Sequence, residues 1–226
     1  MADEAALWEL IEGDCFEVMA NLEAESVDMV VLDPPYAKKF AWMYGALAKE
    51  AARLLKPGGS LLAIQATGTL PQALADIAAS QLRYGWMIAM QAPYGSHGMV
   101  FGLEVEITWK GMSWWTKGKP RKRGRLASDS FICSSTLGKE LHRWAQAEEW
   151  AEYCLGMTRV GDSILDPMCG TGTLGWLAVQ YGRRFVGIDN DPEMLEIARR
   201  RCQLAEAYRL EFPPAETDLT QGKMSY

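Results

Sequence analysis

An apolar run that ends in two prolines most constrains how this chain can fold. Residues 29–32 have the composition of a strand that is buried on both faces of a parallel sheet. Asp33, Pro34, Pro35 and Tyr36 follow at once, and prolines cannot donate the hydrogen bonds of a strand ladder. The backbone must therefore leave the sheet at a strand's carboxyl end, where open α/β sheets bind ligands. We predict a functional site here, with a purely structural turn as the alternative.

Segments typical of strands and helices alternate along most of the chain. We predict strands at residues 8–11, 29–32, 61–64, 86–90, 164–165 and 185–188. The spacing of apolar residues and the capping residues predict helices at 15–22, 37–55, 69–82, 139–157, 174–181 and 191–207, with 56–59 ending the second. Such alternation predicts a doubly wound, mostly parallel sheet with helices on both faces.

Composition limits the class of protein. A chain of 226 residues with 49% hydrophobic residues can bury one core, so we expect a single domain over residues 1–226. The 5 cysteines are scattered and form no C-x-x-C pair, which predicts a reducing compartment, no disulfide and no metal site. The acidic start and the lack of an apolar run of roughly 18 residues argue against a signal and a membrane span. We therefore expect a cytoplasmic protein.

Residues 93–135 depart from the alternation of strands and helices. Residues 104–109 alternate as a half-exposed strand would, whereas 111–130 are rich in Gly, Ser and basic residues and indicate a long loop or small insertion. Aromatic residues beside cations suggest salt-dependent contact with nucleic-acid phosphates, and a solvated basic loop is the alternative. The candidate contact residues are Trp109, Trp114, Trp115, Lys117, Lys119, Arg121, Lys122, Arg123 and Arg125. Residues 209–226 indicate a loose tail.

A glycine-rich turn follows the predicted strand at residues 164–165. Residues 170–175 match the pattern G-x-G-x-x-G and open a helix, and Asp189 ends the next strand. Glycines let a ligand approach the backbone, and such an acid can accept both hydroxyls of a ribose, although packing alone could also explain the glycines. Asp166 would be unfavourable beside a pyrophosphate but favourable beside a sulfonium or ammonium, which favours S-adenosylmethionine over a dinucleotide.

The candidate cofactor-binding residues lie at several strand ends. Asp14 stands at a strand-to-helix turn and could contact the cofactor, or could serve only as a helix N-cap. Cys169 lacks a neighbouring histidine in sequence, so a packing role is more plausible than a nucleophilic one. The full set is Asp14, Cys15, Asp33, Asp166, Pro167, Met168, Cys169, Gly170, Thr171, Gly172, Thr173, Asp189 and Asn190.

These motifs together resemble those of the DNA amino-methyltransferases. That family carries D/N/S-P-P-Y/F as its catalytic motif and D-P-F-x-G-x-G-T as its cofactor motif, which correspond to residues 33–36 and 166–173 here. The resemblance also includes residues 13–14, 51–59 and 185–189, and the order of the motifs is that of the permuted beta group. Two departures are Met168, where an aromatic residue is common, and the segment around His142, which lacks the family's prolines and lysine.

The resemblance implies a Rossmann-like fold of the class I methyltransferases, in which 93–135 is an inserted target-recognition region. It implies S-adenosylmethionine as cofactor, double-stranded DNA as substrate, and a bacterial, archaeal or phage source. Asp33, Pro34, Pro35 and Tyr36 would be catalytic: Asp33 and the Pro34 carbonyl would hold the amino hydrogens of a flipped-out base, and Tyr36 would stack on it.

The resemblance leaves several alternatives open. The aspartate at position 33 favours adenine N6 over cytosine N4. An RNA or protein-amide methyltransferase would share this chemistry, and a nucleotide-binding protein without methyl transfer would need only the glycine-rich turn. The short recognition region is compatible with a homodimer, and a companion restriction endonuclease is left open.

Overall fold

The computed structural model describes residues 6–91, 99–100, 102–122, 127–133 and 148–211, and only the backbone at 99–100. The strands are β1 Trp8–Glu12, β2 Val27–Leu32, β3 Leu55–Gln65, β4 Arg83–Gln91, β5 Met99–Val100, β6 Val105–Glu106, β7 Trp109–Thr116, β8 Ser130–Ile132, β9 Ser163–Asp166 and β10 Arg184–Asp189. The helices are α1 Cys15–Asn21, α2 Met43–Leu54, α3 Leu70–Ala78, α4 Glu148–Leu155, α5 Thr173–Gln180 and α6 Pro192–Glu211.

Eight strands form one sheet in the order β1-β10-β9-β2-β3-β7-β4-β8. The first five of these are parallel to one another, whereas β7 is antiparallel to both of its neighbours. The carboxyl ends of the five parallel strands therefore meet at one edge of the sheet, here called the carboxyl edge, and the opposite edge is the amino edge. The doubly wound, mostly parallel Rossmann-like sheet that the alternation predicted is confirmed.

Two hydrophobic layers cover the two faces of this sheet. One layer includes residues of α4, α5 and α6, and the other includes residues of α1, α2 and α3. β2 is buried at every position because it lies between β9 and β3, near the centre of the sheet. A strand enclosed by two layers needs apolar side chains on both faces, which explains the uninterrupted run at residues 29–32.

Some predicted boundaries were wrong. α2 begins at Met43 and not at residue 37, because the chain after the two prolines first forms a short 3-10 turn, Lys38–Phe40. β3 already begins at Leu55, and its pairing with β2 is irregular where Gly58 adopts a φ of 81°, a conformation that glycine adopts readily. The last helix extends to Glu211, past the predicted end near 207 and into the predicted tail.

The prediction of a loop or insertion over residues 111–130 was wrong for its first part. Trp109–Thr116 forms β7, which pairs with both β3 and β4 inside the sheet. Met112, Ser113, Trp115 and Thr116 are buried, so this segment is a strand enclosed on both faces. Its mixed Gly, Ser and Trp composition shows neither alternation nor an apolar run, which explains the error. Of the strand expected at 104–109, the structure forms the two exposed residues of β6, and Trp109 belongs to β7 instead.

Candidate active site

Acidic residues from separate strands meet at the carboxyl edge. Asp33 directly follows β2, Asp166 is the last residue of β9, and Asp189 is the last residue of β10. β9 lies between β10 and β2, so the three carboxylates come from three adjacent strands. The structure thus brings together the two motifs that the sequence placed at strand ends, although they are far apart along the chain.

The Asp33 carboxylate is bonded to the aromatic residue of its own motif. The Tyr36 phenol donates a hydrogen bond to Asp33 Oδ1 at 2.5 Å. Burial raises the pKa of Asp33 to about 6, while the Tyr36 hydrogen bond and the charge of Lys110 act in the opposite direction. Burial and the neighbouring carboxylate raise the pKa of Tyr36 well above its ordinary value, so its phenol stays a neutral donor. The Asp33 carboxylate is therefore largely ionised at neutral pH and can accept hydrogen bonds.

Lys110 is a site residue that the sequence reasoning missed. Its Nζ lies 4.2 Å from the centroid of the Tyr36 ring, which is a cation–π contact. Burial lowers the pKa of Lys110, and the nearby Asp33 carboxylate opposes that change. Lys110 is the second residue of an antiparallel strand, so the start of that strand lies at the carboxyl edge. Only recognition of β7 as an antiparallel strand could have placed it there.

Asp166 is a buried acid with an unusual pKa. Its side chain is buried, and Oδ1 accepts a hydrogen bond from the Met168 N–H at 3.1 Å. Burial, together with the charges of Asp33 and Asp189, raises the pKa of Asp166 to about 7. The charges of Asp33 and Asp189 disfavour ionisation of Asp166, and a cationic ligand would offset that effect. Such a site fits the sulfonium and ammonium groups of S-adenosylmethionine better than a pyrophosphate.

The glycine-rich turn is tied to the end of β10. Asp189 Oδ2 accepts a hydrogen bond from the Gly170 N–H at 2.8 Å, and Oδ1 accepts one from the Asp191 N–H at 3.0 Å. A Cβ atom at Gly170 would meet no atom within 4 Å, so the turn leaves open space that a ligand can enter. Gly172 adopts a φ of 72°, and a Cβ there would lie 2.7 Å from the Ala198 Cβ. Gly170 thus leaves room for a ligand, whereas Gly172 permits close packing against Ala198 of α6.

Other predicted cofactor residues differ in their exposure. Thr171 and Thr173 are buried, and the Arg201 side chain donates to the Thr171 carbonyl and the Thr173 hydroxyl. Cys169 is buried and its pKa is raised by burial, which agrees with a packing residue. Pro167 is also buried, Met168 is half-buried and Asn190 is exposed. Of these predicted residues, Met168 and Asn190 therefore have the accessible side chains.

Asp14 is the N-cap of α1. Its Oδ1 accepts hydrogen bonds from the Phe16 N–H at 2.8 Å and the Glu17 N–H at 3.3 Å. The alternative interpretation of Asp14 as a cap is therefore confirmed, and a contact with the cofactor stays a prediction. Cys15 begins the helix in a buried position, where burial raises its pKa to about 11.

Of the described residues that were predicted to contact DNA, Trp109 alone lies at the carboxyl edge. Trp109 begins β7 at the carboxyl edge and is exposed. Trp115 is only 3% exposed, so the prediction that it contacts DNA was wrong. Trp114 is half-buried, and its indole donates to the Ser60 hydroxyl. Arg123 and Arg125 lie outside the described residues, as does His142.

The basic residues that follow β7 lie at the amino edge of the sheet. The end of β7 pairs with the start of the long straight part of β3, roughly 17 Å from the end of that strand. Lys117 donates to the Leu55 carbonyl and pairs with Glu25, and Arg121 bridges the carboxylates of Asp28 and Asp162. Lys119 and Lys122 are exposed. Lys117 and Arg121 therefore hold strands together, and DNA contact by the two exposed lysines stays a prediction.

A variant of Arg121 separates a structural role from a DNA-binding role. We expect Arg121→Ala to lower the free energy of unfolding by roughly 1–2 kcal/mol, because two nearly buried carboxylates lose their shared partner. Urea denaturation would measure this change, with Lys119→Ala, in the same exposed segment, as the control. Equal stability of the two variants, combined with weaker DNA binding by Arg121→Ala alone, would contradict the structural role.

The described part of the chain shows neither a metal-binding cluster nor a membrane-spanning helix. There, no group of three or more His, Cys, Asp and Glu residues is arranged to hold a metal ion. Among the helices in these ranges, none combines the length and the apolar content that crossing a bilayer requires.

The proteins that this chain resembles are DNA methylases. Residues 102–200 match the family model of N6- and N4-specific enzymes described as DNA methylase. The DNA adenine methyltransferase YhdJ of Escherichia coli (strain K12) is 23% identical over 260 residues, which cover 89% of this chain and 85% of that protein. The structural comparison likewise finds DNA methylases.

A DNA modification methylase of Thermus thermophilus, complexed with S-adenosyl-L-methionine, superposes with a TM-score of 0.71 at 22% identity, covering 87% of this chain and 93% of that one. The PvuII DNA methyltransferase, which is cytosine-N4-specific, gives a TM-score of 0.72 at 17% identity, covering 95% and 90%. At these identities the likeness of the two structures establishes a shared fold.

Proposed function

We propose that the chain is a DNA amino-methyltransferase that transfers a methyl group from S-adenosylmethionine to the N6 amino group of adenine in DNA, because residues 102–200 match the DNA methylase family model and a DNA adenine methyltransferase is similar along most of the chain. The observation that carries this proposal is the position of the Asp33 carboxylate. It lies one strand away from Asp166, at the edge where the glycine-rich turn opens. Asp33, which can accept hydrogen bonds from an amine, therefore lies beside Asp166, which can balance the charge of a cation.

The Asp33 carboxylate would prepare the target amine. The lone pair of an exocyclic amino nitrogen is delocalised into the base, so the amine is a weak nucleophile until it is oriented. Asp33 would accept a hydrogen bond from one amino hydrogen and the Pro34 carbonyl from the other, leaving the lone pair directed at the methyl group. When the nitrogen–carbon bond forms, the methyl–sulfur bond would break and its electron pair would stay on the sulfur as a neutral thioether. Asp33 would take up the surplus proton of the amine, because its pKa of about 6 lies near neutrality.

Tyr36 would act on the base in two ways. A base must leave the duplex to reach this edge, and unstacking costs a few kcal/mol. Stacking on the Tyr36 ring would offset about 1–3 kcal/mol of that cost. The phenol that now bonds to Asp33 would compete with the amine for the carboxylate, so one oxygen of Asp33 must be shared or released when the base enters.

The glycine-rich turn and the acids beside it would hold the cofactor, which supplies a methyl group on a positively charged sulfur. Gly170 offers the open approach, and Asp189 positions that turn through its backbone hydrogen bond. Asp166 would balance a positive charge of the cofactor, because it is a buried carboxylate beside two others. Each of these roles belongs to a group on the carboxyl edge.

The segment after the catalytic motif offers a surface for DNA. Lys38 and Lys39 are exposed, and the Lys39 ammonium lies 4.8 Å from the centroid of the Phe40 ring. Trp42 is 58% exposed and stacks on Phe16 with ring centroids 5.4 Å apart. Cations and aromatic rings beside the site suit phosphates and unstacked bases. This surface lies next to Tyr36, unlike the basic residues at the amino edge.

The proposal is tested by identifying the methylated nucleoside. Purified protein would be incubated with unmethylated genomic DNA and S-adenosylmethionine that carries a deuterated methyl group, and the digested DNA analysed by mass spectrometry. We expect deuterated N6-methyladenine. Failure of both DNA bases to become methylated, while RNA does, would contradict a DNA substrate.

Cytosine N4 is the second candidate target. It stays open because the family model that residues 102–200 match is that of both N6- and N4-specific enzymes. Asp33 can orient either amine, so the catalytic chemistry is the same for both. Deuterated N4-methylcytosine in the same digest would replace the adenine assignment and keep the mechanism.

A further inference from the structure

Lys110, Tyr36 and Asp33 form a continuous set of contacts at the carboxyl edge. The Lys110 ammonium lies 4.2 Å from the centroid of the Tyr36 ring, and the phenol of that ring donates to Asp33 at 2.5 Å. The ammonium comes from β7 and the carboxylate from the end of β2, with β3 between the two strands. A cation on one strand is thereby linked through the ring to the acceptor on another.

Among the described residues, the other titratable groups whose pKa values respond to the Asp33 charge are a carboxyl, a thiol and a phenol. Asp166 and Cys154 lie close enough for the Asp33 charge to raise their pKa values, and so does the phenol of Tyr44. Cys133, in turn, lies beside the Lys110 ammonium. Within the described ranges, Lys110 is the cation whose charge lowers the pKa of the Asp33 carboxyl.

We propose that Lys110 is a positioning residue of the methyl-transfer site, whose ammonium fixes the Tyr36 ring and balances the charge of the Asp33 carboxylate. This inference rests on the proposed function, since it assigns Lys110 a task in orienting the target amine. Because the ammonium covers one face of the ring, a flipped-out base would stack on the other face. The same contact would select which side of Tyr36 receives the base.

The charge contact can be measured in the free protein, without activity. A carbon-13 NMR titration of labelled aspartates, with the Asp33 signal assigned from Asp33→Asn, would give the pKa of Asp33 in wild type, Lys110→Met and Lys110→Arg. We expect the pKa to rise from about 6 in wild type to about 7 in Lys110→Met, because a nearby positive charge is lost. Lys110→Arg should stay close to wild type, and so should Lys49→Met, which changes an exposed lysine of α2.

Methylation kinetics test the consequence for the reaction. With less Asp33 ionised, kcat/KM for DNA in Lys110→Met should fall about fivefold more at pH 6.0 than at pH 8.5, whereas Lys110→Arg should keep the wild-type profile. Binding of S-adenosylmethionine to Lys110→Met should be no weaker than to wild type. A merely structural role would instead weaken binding and lower activity equally at every pH.

The two measurements separate the two conclusions. If wild type methylates DNA but the Asp33 pKa and the pH profile are the same in Lys110→Met, the role of Lys110 is wrong and the proposed function stands. If the Asp33 pKa rises as expected but wild type methylates no nucleic acid, the charge contact stands. The proposed function, and with it the task of Lys110 in orienting an amine, is then wrong.

Discussion

Asp33→Ala is expected to reduce methyl transfer by roughly 10³-fold or more, because the amine then loses the charged acceptor that orients its lone pair. S-adenosylmethionine should bind Asp33→Ala about as tightly as wild type, since the charges nearest the glycine-rich turn are kept. The loss of one carboxylate should even favour ionisation of Asp166, whose pKa the Asp33 charge raises. Single-turnover methylation and calorimetric titration of the cofactor would measure the two effects.

Two further variants sharpen this test. Asp33→Asn keeps the shape and one acceptor oxygen, so its activity should lie between those of wild type and Asp33→Ala. Tyr36→Phe keeps the ring and removes the phenol that occupies Asp33, so it should retain activity within about tenfold. Full activity in Asp33→Ala would remove this carboxylate from the mechanism.

Asp166→Asn is expected to stabilise the fold while weakening cofactor binding by at least about tenfold. The pKa of Asp166 is about 7 in the folded protein, against an ordinary value of 3.8. The unfolded chain therefore gives up this proton more easily, and the ionised side chain costs stability increasingly as the pH rises from about 4 to about 7. At pH 8 an uncharged side chain of the same shape should raise the free energy of unfolding by roughly 2–4 kcal/mol.

The pH dependence provides the control for this variant. Thermal unfolding of wild type and Asp166→Asn at pH 4.5 and pH 8 should show a difference in stability that is about four times smaller at the lower pH. Cofactor affinity of wild type should rise through pH 7, as Asp166 ionises, and that of Asp166→Asn should rise less. A destabilised Asp166→Asn at pH 8 would show that hydrogen bonding by this carboxylate outweighs its burial.

The sequence predicted the parallel half of this site and missed the antiparallel part. Asp33, Asp166 and Asp189 each end a parallel strand, and all parallel strands end at the same edge, so strand order alone brings them together. Lys110 begins a strand that runs the other way. Lys110 lies beside Tyr36 because β7 is antiparallel and because it is inserted between β3 and β4. Local composition encodes neither of these two facts.

The basic residues illustrate a different reason for error. Clustering along the chain predicted one surface, but Lys117 and Arg121 turn inward to carboxylates and carbonyls from distant segments. A cation's partners come from the tertiary arrangement, and charge counted along a sequence cannot distinguish a bridge from an exposed side chain. The lysines beside Tyr36 gave a weaker signal along the chain, although they lie next to the site.

The strand order also sets when this protein can become active during its synthesis. β2 pairs with β9 through Met29 and Ile164, and β1 pairs with β10 through Trp8 and Phe185. β1 and β2 are synthesised first, but they can pair with β10 and β9 only after those late strands have left the ribosome. Pairing between segments so distant in sequence is slow. Until then the strand that carries Asp33 lacks the neighbour that carries Asp166. A nascent or truncated chain would thus hold the amine-orienting motif without the means to bind a methyl donor.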